Sequence, residues 1–98
     1  MSQEILSIAI FEPLAGMTEQ ALATMRELGA VLSRLGYAED TLYRDSGSEC
    51  LLFRRWKSEG ARREAQEHPE VLRCWAKLAH QITVLKTYER LQDVTSLS

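Results

Sequence analysis

YAEDTLYRDSGSECLLFRRW, residues Tyr37 to Trp56, decides the fold. Two strand-like runs, Tyr37 to Arg44 and Glu49 to Trp56, flank Asp45-Ser46-Gly47-Ser48, whose small and Asx residues suit a tight reversal. The stretch reads as a β-hairpin, with Arg44 and Arg54 facing each other across it or pointing to solvent. On its N-terminal side, Ile5 to Phe11 is rich in β-branched residues, sets Leu6, Ile8 and Ile10 on one side, and stops at Pro13 and Gly16, as a strand does. Thr18 can then cap a helix, with Glu19 in the first turn where the helix dipole favours negative charge. Leu22, Met25, Leu28, Leu32 and Leu35 recur at three- and four-residue spacing, one buried stripe, and Gly36 supplies a left-handed stop.

The C-terminal side repeats the plan. Ser58 suits an N-cap, and His68-Pro69 breaks the second helix so that Pro69 opens a fresh segment. Val71, Leu72, Trp75, Ala76 and Ala79 form its apolar stripe, and Ile82 to Leu91 returns to an extended pattern. Two strand–helix–strand units joined by a hairpin make the α+β order βαββαβ: a ferredoxin-like, four-stranded antiparallel sheet with two helices on one face. The other face stays bare. Ala9 and Phe11 are expected there, and a bare, partly apolar sheet face points to pairing with a second copy of the chain.

Composition narrows the function. The 98 residues, 45% apolar and 27% charged, suit one domain with a core from about residue 5 to 91. A formal net charge of −2 gives no electrostatic drive toward nucleic acid. The basic run Arg54-Arg55, Lys57, Arg62-Arg63 is interleaved with Trp56 and Glu59 and reads as a solvated or salt-bridged face, with an anion site as the alternative. Cys50 and Cys74 lack metal or dithiol spacing and read as small buried hydrophobes. The apolar run Ile5 to Phe11 is far short of the roughly 20 residues of a membrane helix and has no basic region before it, so a cytoplasmic protein is expected.

Ile8-Ala9-Ile10-Phe11-Glu12-Pro13, then Gly16, with Leu52-Phe53-Arg54-Arg55-Trp56-Lys57-Ser58 and His68-Pro69-Glu70-Val71, resembles the antibiotic biosynthesis monooxygenase family. The resemblance spans residues 5 to 91. It implies a dimeric α/β barrel in which two sheets meet face to face and each protomer keeps a pocket between its sheet and its helices. It also implies an activity: some members are cofactor-free oxygenases of quinols or polycyclic phenols, another branch degrades haem, and many have no known activity. The helix-two histidine of many oxygenase-like members falls at Ala65 here. The asparagine, tryptophan and histidine of the haem-degrading branch fall near Ser7, Ala65 and Ala76.

Within that frame Trp75 stacks a flat aromatic ligand or fills the core, and Trp56 borders the pocket entrance or packs under the second helix. His80 caps the end of that helix or acts as a base; His68 closes a turn. Tyr43 or Tyr88 orients a substrate oxygen or is structural, and Arg54 can hold a carboxylate or phenolate. Ser7 has no paired base or nucleophile-elbow motif and lines the cavity at most. The leading reading is a cofactor-independent monooxygenase of a phenolic or quinol-like aromatic, with no cofactor and no metal. The alternative is a non-catalytic small-molecule-binding or structural homodimer, with haem binding third.

Overall fold

A computed structural model describes residues 4–96. Its elements follow the order β1 (Ile5–Pro13), α1 (Thr18–Arg34), β2 (Ala38–Arg44), β3 (Cys50–Trp56), α2 (Glu59–Ala65), α3 (Pro69–Leu78) and β4 (Ile82–Leu91). The strands form one antiparallel sheet in the order β2-β3-β1-β4. This is the expected βαββαβ plan, with the second helix in two pieces.

Local chemistry explains the boundaries. Gly36, at φ 75°, ends α1 in a Schellman turn: the Tyr37 N–H donates to the Leu32 carbonyl at 2.9 Å and the Gly36 N–H to the Ser33 carbonyl at 3.0 Å. Ser58 caps α2 by accepting the Ala61 N–H at 3.0 Å. His68 caps α3 through Nδ1, which accepts the Glu70 N–H at 3.2 Å, and Pro69 takes the first helical position, where no N–H is needed. Thr18 is not a cap but the first residue of α1; Met17 precedes it without a side-chain hydrogen bond.

Two further expectations are corrected by packing. Phe11 is fully buried and Ala9 packs beside it under the helices, so Leu6, Ile8 and Ile10 occupy the bare face. Both sides of β1 are apolar, and alternation alone does not say which set the helices cover. In α3 the buried stripe is Val71, Cys74 and Leu78, while Leu72, Ala76 and Ala79 are exposed. The stripe is turned by one position, toward α1, on which α3 packs.

The β2–β3 register sets Asp40 opposite Arg54 and Arg44 opposite Cys50, so the two arginines do not face each other. Arg54 Nε donates to Asp40 Oδ1 at 2.7 Å and Nη2 to Oδ2 at 2.8 Å, a bidentate pair with side chains 9% and 11% exposed. α1 passes over this pair at Gly29, where an added Cβ would lie 3.0 Å from Asp40 Oδ2. The carboxylate, fixed by two bonds, has little freedom to yield.

Two outcomes follow for urea unfolding. Phe11→Ala costs about 3–5 kcal/mol, as for a fully buried phenylalanine; a loss below about 1 kcal/mol would contradict its placement under the helices. Gly29→Ala destabilises, although alanine ordinarily gains about 1 kcal/mol over glycine inside a helix. A stabilised Gly29→Ala variant would show that the Asp40 carboxylate is free to move.

Candidate functional site

Along β3, Leu52, Arg54 and Trp56 point toward the helices. Trp56 Nε1–H donates to Ser7 Oγ on β1 at 3.1 Å, and Ser7 Oγ donates to the Glu89 carbonyl on β4 at 3.0 Å. The Arg54 guanidinium carbon lies 5.6 Å from the centroid of the Trp56 ring. Asp40 thus holds the guanidinium from one side and the indole flanks it, while the two bonds to Asp40 leave Nη1 uncommitted.

Arg54 stands in the wall of a cleft between the sheet and the helices. The cleft has two lobes that share Ala9, Leu52, Arg54 and Trp75. One, of 300 Å³, runs toward Phe11, Leu28, Leu78 and Val84 and is lined by apolar side chains apart from Arg54. The other, of 290 Å³, opens past Ser7, Trp56, Arg62 and Glu89. Each is near the lower end of ordinary ligand pockets, about 300 Å³. At the open lobe, Arg62 bridges to Glu59 at 3.2 Å and to Glu89 at 3.5 Å, and Arg90 also reaches Glu59, at 2.9 Å. These pairs tie α2 to β4 and make Arg62, at least, a salt-bridged member of the basic run.

Four of the six candidate residues therefore meet: Ser7, Arg54, Trp56 and Trp75 line one lobe. Trp75 is partly buried on α3 and borders both lobes. Trp56 is 4% exposed and packed, with its N–H satisfied. Tyr43 lies outside the cleft; it alternates onto the bare face of β2, 56% exposed and edge-on to Phe53 at 5.4 Å. His80 also lies outside. It is exposed on the turn between α3 and β4 and lines neither lobe; its backbone N–H, not its ring, closes the helix by donating to the Lys77 carbonyl. A short turn into β4 carries it beyond the helix stripe and away from both lobes.

The cleft's remaining chemistry is narrow. No histidine lines it, and among the described residues no group of three or more His, Cys, Asp or Glu is placed to hold a metal. Burial pushes both the Cys50 and Cys74 thiols up, away from the reactive thiolate. What the cleft offers is an apolar slot, an indole, a fixed guanidinium and, in the open lobe, the Tyr88 phenol. Asp40, Arg62 and Glu89 were not among the candidates, although the first could be found by counting outward from the centre of the hairpin turn.

The bare face carries Leu6, Leu51, Phe53, Thr41, Tyr43 and Arg55 around a shallow concavity. Among the described residues no helix is long and apolar enough to cross a membrane.

No family model and no curated protein matches the sequence. Solved structures do match. SnoaB, a cofactor-independent oxygenase from Streptomyces nogalater, is 17% identical, with a TM-score of 0.78 over 97% of this chain and 100% of its own. A candidate antibiotic biosynthesis monooxygenase from Bacteroides thetaiotaomicron is 12% identical, with a TM-score of 0.81 over 98% of this chain and 95% of its own. Another from Chloroflexus aurantiacus is 12% identical, with a TM-score of 0.78 over 95% and 96%. The chain therefore has the ferredoxin-like fold that these solved structures share.

Proposed function

We propose that this protein is a cofactor-independent monooxygenase of a phenolic or quinol-like aromatic, working as a homodimer. The observation that carries the reading is Arg54: a guanidinium fixed in the wall of an otherwise apolar lobe, within reach of the same space as the Trp75 indole. The cofactor-independent oxygenase of the same fold supports it.

In this reading a flat ring enters between the sheet and α3, with Trp75 against one face. Its hydroxyl oxygen accepts a hydrogen bond from Arg54 Nη1, a donor that binds the oxygen more strongly once it is a phenolate, and the proton leaves to water. The electron-rich anion then reacts with dioxygen. One oxygen atom forms a carbonyl on the ring carbon, the other leaves as water, and the two electrons needed come from the substrate, which becomes a quinone. Apolar walls keep bulk water from the anion while the Arg54 N–H, already oriented, hydrogen-bonds its oxygen. His80 takes no part.

The bare sheet face supports the dimer. Leu6, Ile8, Ile10, Leu51 and Phe53 stand there together, and a second copy offers the same apolar surface. A binding module without catalysis is the second reading. It is favoured by the lack of a histidine in the cleft and by the pairing of Glu89, the carboxylate among its lining residues, with Arg62.

Oxygen uptake with a dihydroxynaphthalene, without added flavin, haem or metal and with chelator present, separates the two. The oxygenase reading predicts one dioxygen consumed per hydroxynaphthoquinone formed, without peroxide, and a fall of about 10²–10³-fold in kcat/KM for Arg54→Met. Ring binding without uptake across a panel of phenols and quinols would favour the binding module. For the dimer, light scattering predicts twice the 11.2 kDa chain mass at micromolar concentration and a monomer for Phe53→Glu. A wild-type monomer under those conditions would contradict it.

A further inference from the structure

We infer that Asp40 sets the ligand's charge class: by cancelling the charge of Arg54, it makes the cleft select aromatics that enter neutral, as phenols, over those that enter as permanent carboxylates. The inference rests on the aromatic-site reading above and adds to it a positioning and specificity-determining residue that touches no substrate.

Among the described residues, the charged groups lining the two lobes are Arg54, Arg62 and Glu89. Each has a partner of opposite sign. Arg54 is bound at both Nε and Nη2 by Asp40, and Arg62 sits between Glu59 and Glu89. A cleft walled by compensated pairs exerts little net pull on an anion arriving from water, while the anion loses its hydration on entry. A neutral phenol avoids that cost, yet its oxygen can still meet Arg54 Nη1.

The geometry makes Asp40 the controlling partner. It lies on the edge strand with its side chain 11% exposed, under Gly29, and it is not a cleft-lining residue. Its removal exposes the full charge of Arg54 to an apolar lobe, where a cation attracts a carboxylate far more strongly than in water.

Competitive titration of naphthol against naphthoate at neutral pH tests this, read as the ratio of the two Kd values in wild type and in Asp40→Asn, with circular dichroism to establish that the variant is folded. Wild type is expected to bind naphthol more tightly, and Asp40→Asn to shift the ratio toward naphthoate by about tenfold or more. The double variant Asp40→Asn/Arg54→Gln, with neither charge left, is expected to lose that gain. A purely structural role would weaken both ligands in parallel, and an unchanged ratio overturns the inference while leaving the aromatic site standing. Wild-type protein that prefers naphthoate by tenfold overturns it too, whether or not the variant folds. Wild-type protein that binds neither ligand overturns the site and the inference together.

Discussion

A sheet with helices on one side only can hide one of its two faces, and here both are apolar. The helices take the face carrying Phe11, Ala9, Leu52 and Trp56. Leu6, Ile8, Ile10 and Phe53 are left to the other. Two sites of different character follow from that division. The covered face meets α2 and α3 incompletely and leaves a cleft; the bare face is broad, shallow and suited to another sheet. Burial of apolar area drives both arrangements.

Into the covered face the hairpin inserts one charged side chain, and its cost explains the polar arrangement around it. A buried guanidinium without a partner would be strongly unfavourable, so Asp40 must meet it across the strand pair. That pair in turn requires a residue without a side chain on α1, which Gly29 supplies. Trp56 lies beside the guanidinium and is held by Ser7. Replacing the pair by packed hydrophobic side chains is often neutral or favourable for stability, so a retained pair in a cleft wall fits a role in recognition.

Much of this was legible in the sequence, and the reasons for the remainder are specific. Gly36, Ser58 and Pro69 mark their boundaries because each answers a backbone requirement of its own position. Strand four was bounded correctly from its extended pattern between the end of α3 and Leu91. The facing of β1 was read in reverse, since Leu6-Ile8-Ile10 and Ala9-Phe11 are both apolar sets and only the helices decide between them. Ser7, Arg54, Trp56 and Trp75 were anticipated one at a time, and folding brings them to one lobe. Tyr43 and His80 stand outside that lobe, Tyr43 because strand alternation sends it opposite to Leu42 and His80 because the turn after α3 carries it away from the stripe. Asp40 was legible in principle: the hairpin pairs residues symmetrically about Gly47, which sets Asp40 against Arg54 as it sets Ala38 against Trp56.

The most direct test of the central claim, that the functional site is the cleft around Arg54 and Trp75, is a nuclear magnetic resonance titration of labelled protein with naphthol. The account predicts that the Arg54 side-chain N–H and the Trp75 indole N–H signals move together on binding, while those of His80 and of Tyr43 on the bare face stay in place. Movement centred on Tyr43 and Phe53, with Arg54 and Trp75 unaffected, would contradict it.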